Sequence, residues 1–191
     1  MPEYILIAGV NGAGKSTLYH LLDNLKDMPR INIDETVRKL GSWKNPSDML
    51  TAGKISVKCL QQYLKENRSF NQETTLCGKS IINNINKAKY LGYKITVHYV
   101  GVDSPDIAKS RVKERVKRGG HGIPDKDIEK RYKESLSNLK CMIPICDTIF
   151  FYDNSKSFNC FAVYQSKKGM IIYPDVPAWF HMVSESFIQT K

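Results

Sequence analysis

Gly9-Val10-Asn11-Gly12-Ala13-Gly14-Lys15-Ser16 fits the phosphate-binding pattern G-x-x-x-x-G-K-[ST], and its chemistry follows from its spacing. Glycines let the backbone turn its N–H groups inward as an anion nest at a helix start. Lys15 reaches the β- and γ-phosphates of a nucleotide, and the Ser16 hydroxyl coordinates magnesium. Asn11, Gly12, Ala13, Gly14, Lys15, Ser16 and Thr17 are therefore the nucleotide-binding set, and a nucleoside triphosphate is the expected ligand.

Transfer of the outermost phosphate needs a carboxylate near the acceptor hydroxyl's proton. Asp34 is the best candidate for that base, expected just after a short second strand. It also precedes Glu35-Thr36-Val37-Arg38-Lys39-Leu40, so a helix N-cap is its other reading. Glu73 can hold magnesium through water, bind the acceptor, or simply end a strand. Thr75 can donate to substrate or satisfy a turn. Arg111, Lys113, Arg115, Lys117 and Arg118 precede Gly119-Gly120-His121-Gly122, and Arg131 follows. This pattern is that of a hinged lid whose guanidinium groups close over phosphates and exclude water. A solvated basic helix accounts for some of these charges; Arg115 and Arg118, nearest the glycines, are the candidates for catalysis. His121 can contact phosphate, although an exposed loop histidine is the commoner case.

The elements that must position these groups are legible in the patterning. Tyr4-Ile5-Leu6-Ile7-Ala8 reads as a buried parallel strand before the loop, and Leu18, Leu21 and Leu22 share a helical face after it. Residues 30–34 read as a short strand ending in the acid Asp34. Pro46 to Lys65 reads as a helix, Ser69 to Thr75 as a strand, and Ser80 to Leu91 as a helix stopped by Gly92. Tyr93 to Val100 is a β-branched strand. Ser104-Pro105-Asp106 opens a helix that stops at Gly119-Gly120, and Pro124 starts another reaching about Leu139. Asp147 to Asp153 is a strand, residues 161–165 and 170–173 flank a hairpin turn, and Pro177 to Phe187 is a final short helix. Alternating strands and helices indicate a mostly parallel sheet covered on both faces.

With 191 residues, 41% hydrophobic and 25% charged, the chain suits one soluble α/β domain. No apolar run approaches a membrane span, and the first strand begins too near Met1 to leave room for a targeting peptide. Five cysteines without a C-x-x-C pair indicate reduced thiols and a cytoplasmic location. His20, His98 and His181 lack metal-ligand spacing, and neither G-x-S-x-G nor N-K-x-D occurs. The net charge of +10 suits either nucleic acid or anionic small molecules. Its concentration between Lys109 and Arg118, without interleaved aromatics, favours the small molecules.

Together the loop Gly9 to Ser16, Ile33-Asp34-Glu35, Gln72-Glu73-Thr74-Thr75-Leu76, and Arg111 through Arg131 resemble the zeta-toxin family of P-loop kinases, in its shorter chromosomal form. Tyr152-Asp153-Asn154-Ser155 resembles that family's penultimate strand and turn, so the likeness covers residues 3 to 155. The resemblance implies an α/β fold: a P-loop kinase-like three-layer sandwich with a mostly parallel sheet, helices on both faces and a small C-terminal hairpin. It implies one kinase domain over residues 1–191 with a lid around 111–131. It further implies an ATP- and magnesium-dependent kinase acting on a small-molecule acceptor, UDP-N-acetylglucosamine in the best-known members, with an antitoxin protein as partner. By motif, Lys15 binds phosphate, Asp34 is the base, and Glu73 with Thr75 contacts acceptor or metal. Arg115 matches the first phosphate-stabilising arginine. The second falls near His121, so that either Arg118 or Arg131 takes its place or the contact is absent. A nucleotide-dependent switch without kinase activity is the alternative function; a nucleic-acid-binding protein ranks last, for want of any recognised motif.

Overall fold

Each strand leads into a helix at its carboxyl end until the chain reaches its last three strands. The structure, a computed structural model, describes residues 1–188, with side chains through Ser184. Residues 189–191 of the expected domain lie outside the described residues. The elements are β1 (Glu3–Ala8), α1 (Lys15–Leu21), a single 3-10 turn (Asp23–Leu25), β2 (Arg30–Ile31), α2 (Ile33–Leu40) and α3 (Pro46–Lys65). They continue with β3 (Phe70–Thr74), α4 (Lys79–Tyr90), β4 (Lys94–Gly101), α5 (Pro105–Lys117), α6 (Asp125–Met142), β5 (Thr148–Asp153), β6 (Asn159–Gln165), β7 (Gly169–Ile172) and α7 (Ala178–Ile188).

One seven-stranded sheet runs in the order β2-β3-β1-β4-β5-β6-β7. The first five strands are parallel, and β6 and β7 are antiparallel additions to the same sheet. The expected C-terminal hairpin is thus an extension of the sheet. β1 lies between β3 and β4, and its residues from Tyr4 to Ala8 are all buried, as a central parallel strand requires.

Strand register assigns the layers. Asn71 points toward the 3-10 turn after α1, with Nδ2 donating to Leu25 O at 3.2 Å. On the opposite face Phe70 packs against Tyr63 of α3, and Tyr99 hydrogen-bonds Ser135 of α6 at 3.0 Å. Farther along that face Phe151 and Phe161 meet Phe180 of α7 at 5.1 and 5.0 Å. Trp179 closes the cluster against Phe161, and each of these rings is at most 1% exposed. Every such buried aromatic stabilises the fold by about 2–3 kcal/mol.

Local chemistry sets the helix starts. Asn45 Oδ1 accepts from Ser47 N ahead of Pro46, and Ser104 Oγ accepts from Ile107 N ahead of Pro105. The start of α2 corrects the expectation for residues 30–34. β2 ends at Ile31 because extended Asn32 accepts from Glu35 N at 3.2 Å and caps α2. Asp34 is neither a strand end nor the cap; it lies in the first turn of the helix.

Candidate active site

The loop between β1 and α1 turns sharply enough that its glycine positions leave no room for a side chain. Gly12 has φ +83°, and a Cβ there would lie 2.4 Å from Ala108 O of α5. Ala13 N donates to Val10 O at 3.1 Å, and Leu18 N to Gly14 O at 3.0 Å as α1 begins. Lys15 folds back over this turn, Nζ donating to Val10 O at 3.1 Å, and is 7% exposed. Burial pushes its pKa down, opposed by the carboxylates of Glu73 and Asp34 and reinforced by Arg115. A desolvated ammonium in such a place gains from an arriving anion.

Glu73, at the end of β3, ties the neighbouring elements together. Its carboxylate accepts from Ser16 Oγ at 3.1 Å, Asn32 Nδ2 at 3.0 Å and Arg30 Nη2 at 2.7 Å. Arg30 also pairs with Glu35 at 3.2 Å and lies 3.4 Å over the Tyr19 ring. Arg30 and Asn32 are site residues that the sequence reading treated only as strand. A Ser hydroxyl and a carboxylate in contact form the hard-oxygen donor set that magnesium prefers, with water completing its shell. Thr17 is exposed on α1. Thr75 lines the cleft, while the turn after β3 is satisfied by Thr74, whose Oγ1 accepts from Leu76 N at 3.0 Å.

Asp34 also lines the cleft, its side chain 30% exposed, and His121 Nε2 stands 3.8 Å from its Oδ1. The expected exposed loop histidine is in fact buried, at 7%. Its ring lies against Trp43, centroids 5.5 Å apart, and its carbonyl accepts from Arg115 Nε at 2.8 Å. Burial holds the imidazole below its ordinary pKa; Asp34 opposes this, and Arg115, Arg131 and Arg38 reinforce it.

The arginines separate clearly. Arg115 and Arg111 each keep one buried guanidinium nitrogen with no partner among the described residues. Arg131 lines the cleft and donates to Asn11 Oδ1 of the phosphate loop at 3.0 Å. Arg118 is exposed at the end of α5 and lines no part of the cleft, because α5 ends there with its last turn toward solvent. Of the two candidates for the second lid arginine, the structure brings Arg131 to the loop and leaves Arg118 outside. Asn154, after β5, clamps the loop from the far side by donating to Ala13 O at 2.8 Å.

The cleft measures about 1470 Å³, above the roughly 300–1,000 Å³ of a typical single-ligand pocket. Its lining includes Trp43, Leu50 and Val57 along with Lys54, Lys58 and Lys130. Among the described residues no helix is long and apolar enough to cross a membrane, and no group of three or more His, Cys, Asp or Glu side chains forms a metal cluster.

No protein-family model matches the chain. It is 30% identical over 128 residues to an uncharacterized protein of Haemophilus influenzae, covering 67% of this chain and 91% of that protein. A structure from the PezAT chromosomal toxin–antitoxin system of Streptococcus pneumoniae superposes with a TM-score of 0.61 at 14% identity, over 100% of this chain and 80% of that one. The AvrRxo1-ORF1:-ORF2 structure with ATP superposes with a TM-score of 0.68 at 13% identity, over 90% of this chain and 60% of that one. The architecture is the fold of the PezAT and AvrRxo1-ORF1:-ORF2 structures, and the chain belongs to the family of the Haemophilus influenzae protein.

Proposed function

We propose that this protein is an ATP- and magnesium-dependent small-molecule kinase that moves the γ-phosphate of ATP to a hydroxyl group. The observation that carries the reading is the convergence of buried Lys15, cleft-lining Asp34 and loop-bound Arg131 beside one phosphate loop. The AvrRxo1 neighbour, solved with ATP, supports the choice of donor. The residues act as one domain with a lid over residues 111–131, in the cytoplasm.

Loop N–H groups and Lys15 hold the β- and γ-phosphates. Asp34 accepts the proton of the acceptor hydroxyl as its oxygen forms the new O–P bond. The bond from the γ-phosphorus to the β,γ-bridging oxygen breaks, and ADP leaves. Arg115 and Arg131 offset the charge on the transferred group. Ser16 and, through water, Glu73 would hold magnesium, which would supply charge neutralisation at the phosphates. Thr75 and Glu73 face the acceptor side. The aromatic and aliphatic surface of Trp43, Leu50 and Val57, next to Lys54, Lys58 and Lys130, suits a ring-bearing anion. This supports a nucleotide sugar such as UDP-N-acetylglucosamine as acceptor. The toxin–antitoxin setting of the PezAT neighbour supports an antitoxin as protein partner.

Incubation with ATP, magnesium and a panel of nucleotide sugars, read by mass spectrometry, should give a product carrying one added phosphate. Asp34→Asn should abolish that product and leave ATP binding intact. Binding of ATP without any phosphorylated product across nucleotide sugars, nucleosides and amino sugars would replace the kinase by a nucleotide-gated switch.

A further inference from the structure

The turn between α5 and α6 has little freedom. A Cβ on Gly120 would lie 2.6 Å from Arg115 Cγ, and one on Gly122 would lie 2.7 Å from Trp43 Cη2 and 2.9 Å from Val116 Cγ2. The chain therefore threads between α5 and Trp43, and the side chain between the two glycines is buried His121. Its Nε2 stands 3.8 Å from Asp34 Oδ1. That is too long for a direct hydrogen bond, yet one oxygen placed between them can lie about 2.8 Å from both.

The other ring nitrogen decides which proton is present. His121 Nδ1 is buried with no partner among the described residues. A buried N–H without an acceptor costs more than an unused acceptor lone pair, so the neutral ring carries its proton on Nε2. Charging the ring would leave Nδ1–H unpaired. The charged groups facing it are Asp34 and Arg38 from α2, Arg115 from α5 and Arg131 from α6, and the three guanidinium groups oppose a fourth cation. A neutral donor thus faces the candidate base.

We infer that His121 is a second contact to the acceptor: its Nε2–H donates to the oxygen of the hydroxyl whose proton Asp34 accepts, so that the two side chains together aim that oxygen at the γ-phosphate. The inference deepens the kinase reading and rests on it. The hydroxyl proton moves to Asp34; His121 keeps its own proton and only orients.

The test compares wild type, His121→Ala and His121→Gln, with UDP-N-acetylglucosamine and with water as probe acceptors for ATP. Glutamine keeps an N–H near the position of Nε2. In His121→Ala, kcat/KM for the acceptor should fall roughly tenfold, the equivalent of one neutral hydrogen bond, with the Kd for ATP unchanged. His121→Gln should recover most of the loss. Independently, the imidazole of wild-type His121 should titrate by NMR below its ordinary range, and lower still in Asp34→Asn, which removes the carboxylate facing it among the described residues. Wild-type acceptor kinetics in His121→Ala, no recovery in His121→Gln, or a titration unmoved by Asp34→Asn would each overturn the inference alone. A wild-type protein that transfers phosphate to neither probe nor any panel acceptor overturns the kinase reading beneath it.

Discussion

Glu73→Ala removes the acceptor shared by Ser16, Asn32 and Arg30, and the cost can be worked from their geometry. The Arg30 and Glu73 side chains are 12% and 10% exposed and 2.7 Å apart, so neither is well solvated. Without Glu73, the Arg30 guanidinium keeps Glu35 at 3.2 Å and the face of Tyr19, while its buried Nε already has no partner. Deleting one member of a buried pair costs about 3–5 kcal/mol. Because Glu35 remains, the lower end applies, about 3 kcal/mol. For a chain of this size each kcal/mol moves Tm by about 2–4 °C, so Tm should fall by roughly 6–12 °C. Arg30→Met combined with Glu73→Ala should lose less than the sum of the single losses, with a coupling on the order of 2 kcal/mol. Urea denaturation of the four proteins in a double-mutant cycle measures this. A Glu73→Ala protein within 0.5 kcal/mol of wild type (the usual range for an inconsequential surface change), or strictly additive losses, would refute the assignment of Glu73 as the charge that compensates Arg30.

Two further outcomes follow from other parts of the molecule. Arg131→Ala should weaken ATP binding or transfer by about tenfold or more through loss of its charge and its hold on Asn11, whereas Arg118→Ala should stay close to wild type; equal effects in calorimetry and kinetics would reject the separation drawn here. His98, 8% exposed between Phe150 and Tyr152, has its pKa pushed down to about 4 by burial. Since the unfolded chain binds that proton first, stability should be full above about pH 6.5 and fall toward pH 4, by about 3 kcal/mol at most. His98→Phe should lack that component, and identical pH profiles for both proteins would rule it out.

Sequence and structure agree best where geometry is local. The phosphate loop was legible because eight consecutive residues carry it, with a buried strand before it and an apolar helical face after it. The limits of α3 agree because Asn45 and Pro46 act on their immediate neighbours. Residues 30–34 misled because Ile31 and Ile33 alternate with polar residues as in a strand, while the Asn32 side chain claims the Glu35 N–H and starts a helix. Asp34 still lines the cleft, from the first turn of α2 instead of a strand end.

The amino-acid order alone determined the strand, glycine-rich loop and helix at the start of the chain, the alternation of strands and helices, and the residue types available for acid–base and phosphate chemistry. Adjacent backbone groups and hydrophobic period suffice for those. Folding alone decided that Arg131 meets the loop while Arg118 faces water, that Arg30 is held by Glu73, and that His121 is buried against Trp43 beside Asp34. Identical guanidinium groups differ in role only through what surrounds them, because desolvation and Coulomb interaction depend on distances between elements far apart in the chain.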